Sequence, residues 1–263
     1  MSKRPTVLIT NDDGIDAPGI KHLWNALKDI ADAIIVAPSE EQSGVGLCMT
    51  LRRPLQVAPS HRFENSIAWS VSGTPVDCVK IALSVLLSHP PDIIVSGINR
   101  GTNSGRNVLY SGTVGGAIEG ALREIPSIAF SCHEYNPNYA WVEKYIAPIV
   151  QHAMEHALPL GTFLNVNFPV ERLQPIKGFK LTRQGKEYWL ENPDKRYHPT
   201  EKEAYYWLGA KAAKYEEEAD CDVAWLREGY ITAVPIHIAE LTDHQHMKAR
   251  KDHFEQLFNN ASN

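Results

Sequence analysis

The run Val7-Leu8-Ile9-Thr10-Asn11-Asp12-Asp13-Gly14 constrains the fold more than any other stretch, because a short apolar segment ends abruptly in two adjacent carboxylates and a glycine. Thr6 to Thr10 reads as a strand buried on both faces of a parallel sheet. Asn11 to Gly14 then falls at its carboxyl end, the edge where open α/β sheets bind their ligands. Two neighbouring ionised carboxylates repel, and a shared proton or a bound cation relieves them. A hard divalent ion such as Mg²⁺ suits one or two carboxylates together with water and phosphate. The competing assignment makes Asp12 and Asp13 caps of the helix that begins near Pro18.

Downstream, Ile20, Leu23, Trp24 and Leu27 recur at helical spacing, and Ala33 to Ala37 is a second apolar strand, so the chain opens as a βαβ unit. The loop after Pro38 contains Ser43 and emerges at the same sheet edge as the aspartates. Strands are expected over Met49 to Val57 and Ile67 to Val71, followed by a helix from about Val76 to Leu87. Asp92 to Ser96 is another buried strand. It runs into Gly97-Ile98-Asn99-Arg100-Gly101-Thr102-Asn103-Ser104-Gly105, whose glycines and amides suit a turn that cradles an anion, or an ordinary surface loop. Ser111-Gly112-Thr113 opens a helix of small residues, and a helix N-terminus with glycine in its first turn admits a phosphate closely. The same glycines equally serve tight helix–sheet packing.

Ser127 to Phe130 is a further strand, Trp141 to Met154 a helix with a kink or break at Pro148, and Phe163 to Asn167 the expected last strand of the sheet. Beyond Pro169 the texture changes: Lys180 to Glu218 interleaves Tyr188, Trp189, Tyr197, Tyr205, Tyr206, Trp207 and Tyr215 with charges, which predicts a hairpin extension outside the main sheet. Tyr230 to Ile238 returns as a strand and Asp243 to Phe258 as a polar helix, on which His244, His246 and His253 are read as solvated. The expectation is therefore an α/β protein, a Rossmann-like doubly wound and mostly parallel sheet over residues 1–170, with a C-terminal hairpin and helix extension over 171–263 that suits subunit contacts, the flank of a binding cleft or a fold-closing satellite core.

Composition narrows the function classes. With 43% hydrophobic and 22% charged residues the chain has the balance of a folded domain, and a net charge of −5 argues against a nucleic-acid duplex as partner. No run approaches the ~20 apolar residues of a membrane span, and the N-terminus does not read as a signal peptide. The four cysteines lack metal or disulfide spacing, so they read as reduced thiols of a cytoplasmic protein, Cys78 and Cys132 within the core.

In combination and order, I-T-N-D-D-G-I-D-A-P-G-I, A-P-S-E-E-Q-S-G, S-G-T-P-V-D-C-V, V-S-G-I-N-R-G-T-N-S-G, Y-S-G-T-V-G-G-A-I-E-G and L-N-V-N-F-P resemble the SurE family of stationary-phase survival nucleotidases over about residues 5 to 170, with T-R-Q-G at Thr182 to Gly185 extending the match. The resemblance implies a metal-dependent phosphomonoesterase acting on nucleoside 5′- and 3′-monophosphates, sometimes also on short polyphosphate. It implies one divalent cation per subunit, Mg²⁺ or Mn²⁺, held by Asp12, Asp13, Ser43 and Asn99, with Asn103 and Ser111, Gly112 and Thr113 lining the phosphate pocket. It also implies a homodimer or homotetramer assembled through C-terminal elements. Two stretches depart from the family pattern: Gly44-Val45-Gly46-Leu47-Cys48 lacks the usual small polar residues, and Thr232-Ala233-Val234-Pro235 replaces a serine-isoleucine-threonine-proline type of sequence.

The implied mechanism is attack by a metal-bound water, with Asp12 or Asp13 doubling as general base and backbone N–H groups near Gly112 and Thr113 stabilising the developing charge. A covalent aspartyl-phosphate route of the haloacid-dehalogenase kind ranks lower, because Asn11 stands at the nucleophile position. A non-hydrolytic, mononucleotide-binding regulatory protein is the alternative from a different class. Dinucleotide binding is disfavoured, since the first strand is followed by acids rather than G-x-G-x-x-G.

Overall fold

The computed structural model describes residues 4–134, 137–212 and 215–261. In chain order its first half gives β1 (Thr6–Thr10), α1 (Pro18–Leu27), β2 (Asp32–Pro38), β3 (Val57–Pro59), β4 (Ile67–Val71), α2 (Pro75–Ile81), β5 (Ile93–Arg100), α3 (Gly112–Leu122) and β6 (Ser127–Cys132). The second half gives α4 (Glu143–Glu155), β7 (Thr162–Phe168), β8 (Phe179–Leu181), β9 (Trp189–Leu190), β10 (Asp194–Tyr197), β11 (Ala204–Trp207), β12 (Lys211–Ala212), α5 (Asp222–Arg227), β13 (Ile231–His237) and α6 (His244–Ala261).

One nine-stranded sheet runs in the order β3-β4-β2-β1-β5-β6-β7-β13-β8. Its six central strands, β4 to β7 in that order, are parallel. They succeed one another as third, second, first, fourth, fifth and sixth in the chain, the doubly wound order whose direction of winding reverses between β1 and β5. That reversal opens a crevice at the carboxyl ends of β1 and β5, where Asn11 to Gly14 and Asn99 to Gly105 emerge.

Strand alternation assigns the two faces. Val7 and Ile9 pack with Ile20, Leu23, Trp24 and Leu27 of α1 and with Ile146 and Val150 of α4. Leu8, between them, points the other way against Val79 of α2. The apolar stripe read for α1 is buried throughout. Pro148 does not break α4, because Pro148 and Lys144, whose carbonyl would have accepted its missing N–H, both lie on the exposed side. Cys78 and Cys132 are buried in the core, and all four cysteines are free.

Three expectations change. Met49 to Gln56 is a loop with Leu51 largely exposed, and only Val57–Pro59 pairs, antiparallel, on the sheet edge. The helix after Thr74 is α-helical to Ile81 and continues as a wider π turn over Ala82–Leu86. The sheet also does not end at β7: β13 pairs antiparallel with it, and β8 runs parallel to β13. Outside the sheet, β10 and β11 form an antiparallel hairpin flanked by the β9–β12 pair, so the aromatic segment is an extension in strand form. His244, His246 and His253 are exposed on α6.

Candidate active site

The acidic turn is built before any ligand arrives. Asn11 is buried, and its Nδ2 donates to the Gly14 carbonyl at 2.8 Å, which folds the chain back immediately after β1. The Ile15 N–H donates to the Pro38 carbonyl and the Gln42 N–H to the Asp12 carbonyl, at 2.8 and 2.7 Å, so the loop carrying Ser43 lies against the loop carrying the aspartates. The helix-cap assignment for these aspartates does not hold: Ala17 occupies the cap position of α1, without a side-chain hydrogen bond. Because the Asn11 side chain is fully buried and engaged with Gly14, that position offers no nucleophile either.

Asp12 points instead at the N-terminus of α3. Its carboxylate accepts from the Thr113 hydroxyl and from the Thr113 N–H, at the positive end of the helix. Gly112 makes this approach possible: a Cβ there would sit 2.9 Å from the Asp12 Cβ and 3.1 Å from the Gln42 carbonyl oxygen. Ser111 caps the helix by accepting from the Val114 N–H at 3.1 Å. The Gly112 N–H is the first of the helix and has no intrahelical acceptor. Asp12 is only 3% exposed. Burial pushes its carboxyl up to about 7, the neighbouring charge of Asp13 pushes the same way, and the Thr113 hydrogen bonds oppose both.

Asp13 is half-buried, and its Oδ2 accepts from the Arg100 N–H at 3.1 Å. Burial raises its pKa, against the Arg100 hydrogen bond and charge. The Arg100 guanidinium in turn pairs with Glu41 at 3.0 Å. Asn99 stands at the carboxyl end of β5 and donates to the Gly101 carbonyl at 2.8 Å. Ser43 is exposed, and its hydroxyl donates to Glu41 at 2.7 Å.

Asp12, Ser43, Asn99, Asn103 and Ser111 all line one cavity of about 390 Å³. Asp13 lines a neighbouring cleft of about 400 Å³ with Glu41, Arg100 and Tyr139, so the two aspartates face adjacent spaces with Arg100 bordering both. The switch-point residues are thus brought together, although Thr113 is engaged with Asp12, and Asn103 uses its Nδ2 on Ser131 at 2.7 Å.

Other residues hold this arrangement. Asn165 and Asn167 lie two apart on β7 and so share a face. Asn165 donates to the Asn103 carbonyl, and Asn167 Oδ1 accepts from the Asn103 N–H and the Thr102 hydroxyl, at 2.9, 2.9 and 3.0 Å. Polar residues in a buried strand were the available signal for this clamp. Asp222, at the start of α5, accepts from the Gly105 N–H at 3.0 Å and the Gly185 N–H at 2.7 Å. Gly105 itself has φ +59°, and a Cβ on it would collide with the Glu187 carbonyl, so the extension docks directly on the site loop. Nothing local in the sequence marks Asp222 or that docking.

A doubly wound α/β protein with carboxylates, amides and a helix N-terminus converging at its switch point belongs to the class that binds phosphorylated ligands there. The chain belongs to the SurE family: the profile described as Survival protein SurE matches residues 7–191. A relative named 5′-nucleotidase SurE from Protochlamydia amoebophila is 54% identical over 261 residues, covering 98% of this chain and 100% of its own. Another of that name from Christiangramia forsetii is 43% identical, covering 94% and 95%. The crystal structure of the SurE protein from Aquifex aeolicus superposes with a TM-score of 0.80 at 38% identity, over 94% of this chain and 98% of that one.

Proposed function

We propose that this chain is a 5′-nucleotidase, a phosphoric monoester hydrolase that releases phosphate from nucleoside 5′- and 3′-monophosphates and from short polyphosphate with the help of one divalent cation per subunit. The observation that carries the reading is Asp12: a carboxylate buried at the switch point, seated on the N-terminus of α3, in one cavity with Ser43 and Asn99.

The donor chemistry fits Mg²⁺ or Mn²⁺. Two carboxylates, a hydroxyl and an amide are hard oxygen donors, and the raised pKa of both aspartates records charge that the folded chain alone leaves poorly compensated. Asp12, Asp13, Ser43 and Asn99 are the residues assigned to hold the ion, which when bound supplies Lewis acidity toward the phosphoryl oxygens and acidifies water. Asp12 and Asp13 are the candidate acceptors of the proton from the attacking water, and Thr113 orients Asp12 for either role. The Gly112 N–H and the dipole of α3 face the phosphoryl oxygens as their charge grows. Asn103 and Ser111 shape the pocket floor from fixed positions.

Residues 171–263 are assigned to assembly into a homodimer or homotetramer, in line with the exposed Tyr197, Tyr205, Tyr206 and Trp207 of the hairpin. None of the described helices is long and apolar enough to cross a membrane; the proposed place of work is the cytoplasm. The test is phosphate release from 5′-AMP and 3′-AMP with Mg²⁺ or Mn²⁺ and with EDTA. Metal-dependent release is expected; nucleotide binding without turnover under every ion supports the regulatory alternative instead.

A further inference from the structure

The cavity that begins at Asp12 and Asn99 does not end there. Its far part is lined by Tyr110, Tyr188, Trp189, Leu190, Leu208 and Gly209, so one space is polar at the switch point and aromatic and apolar at its mouth. Two separate parts of the chain supply the aromatic rings. Tyr110 immediately precedes the cap of α3, and its carbonyl accepts from the Gly46 N–H at 3.0 Å. Trp189 comes from the extension, and its N–H donates to Asn107 Oδ1 at 3.0 Å. The Arg106 N–H reaches the Glu187 carbonyl at 2.7 Å. These bonds fix the extension on the loop that carries the amides, so the distance between the rings and the phosphate end is set by backbone contacts. Both rings remain open to a ligand, Trp189 being 50% exposed and Tyr110 62%.

We propose that Trp189, with Tyr110 in the same cavity, is the nucleobase-binding wall of this enzyme and the determinant of its preference for nucleotides over simple phosphate esters. The inference rests on the nucleotidase reading and names the part of the substrate that the far end takes. Charge favours a neutral planar group there. Arg100 at the switch-point end is the one cation among the described residues lining this cavity, and Glu191 belongs to the same lining beside Trp189 and Leu190. The volume of about 390 Å³ lies in the range of small-ligand pockets. Asn107, also in the lining, spends its Oδ1 on the Trp189 backbone, so its amide keeps only the Nδ2 donor for a base edge. Recognition is then by stacking, which accepts any base and favours the larger purine face over pyrimidines.

The test compares 5′-AMP with ribose 5-phosphate, which keeps the sugar and phosphate and lacks the base. Trp189→Ala is expected to lower kcat/KM for 5′-AMP by about 10- to 100-fold, mainly through KM. The value for ribose 5-phosphate changes less than about 2-fold, and Trp189→Phe restores most of the loss. Far-ultraviolet circular dichroism checks that the half-exposed substitution leaves the fold intact. An equal fall on both substrates, or none on 5′-AMP, overturns the stacking assignment while leaving the nucleotidase reading in place. A wild-type protein that releases phosphate from neither ester overturns that reading, and the wall with it.

Discussion

Asp12→Asn separates stability from function, removing a proposed cation ligand while relieving a buried charge. In the unfolded chain this carboxyl titrates near 3.8, and in the folded, metal-free protein burial and Asp13 move it up to about 7. Between those values the native state binds more protons than the unfolded state, so stability is highest at acid pH and falls as pH rises from about 4 to about 7. Three pKa units at about 1.4 kcal/mol each set the full penalty at roughly 4 kcal/mol above pH 7. The amide carries no charge at any pH and still accepts from Thr113, though more weakly than a carboxylate, which leaves a net gain of about 2–4 kcal/mol. For a chain of this size that is about 5–10 °C in Tm. Thermal melts in EDTA should therefore show Asp12→Asn above wild type at pH 8, with the two converging near pH 4. Adding Mn²⁺ should raise the wild type and leave the variant unchanged. A variant that melts at or below wild type at pH 8, or a gap that does not depend on pH, refutes the picture of Asp12 as a buried charge awaiting a cation.

Three further perturbations probe the scaffold around it. Thr113→Val removes the hydroxyl donor on Asp12 and raises that carboxyl further; a lost bond to a charged group of about 1.5–3 kcal/mol moves the pH at which the metal-free protein loses stability up by about 1–2 units, read from thermal melts in EDTA. Gly112→Ala places a methyl group 2.9 Å from the Asp12 Cβ, and should cost about 1–3 kcal/mol in denaturant unfolding and at least about tenfold in kcat, with the fold retained. Asp222→Ala strips the shared acceptor from the Gly105 and Gly185 N–H groups, at about 1–3 kcal/mol for each donor left unpaired. It should lower Tm and raise KM for 5′-AMP, because Gly105 anchors the loop that bears Asn103 and Asn107.

The central part of this fold was legible because its signals are local. Val7 to Thr10 and Ile93 to Ser96 are apolar runs of strand length, their loops follow at once, and a parallel sheet puts both loops on one edge. The contacts that make the site work are not local. Thr113 reaches Asp12 across 101 positions and Asp222 reaches Gly105 across 117. No spacing rule links such pairs, and nothing in the sequence around Asp222 distinguishes it from a surface acid. The register of β13 against β7 escaped for a related reason: an apolar run announces a strand without naming its neighbour. Met49 to Gln56 misled through composition, since Met49 and Leu51 face solvent, only Leu55 packs inward, and Pro54 cannot donate to a sheet. In the aromatic extension the ring content was evident, whereas its seat beside the phosphate end depends on Gly105, which has no Cβ to block the close approach of the Glu187 carbonyl.

The acidic turn after β1 is the proposed cation site on which the function depends. Titration of the metal-free protein with Mn²⁺, followed by the loss of the free-ion electron paramagnetic resonance signal, tests it directly in wild type and in Asp13→Asn. One Mn²⁺ bound per chain, weakened at least about tenfold by loss of the second carboxylate, is the predicted result. Equal binding by both proteins, or none by a folded wild type, would contradict it.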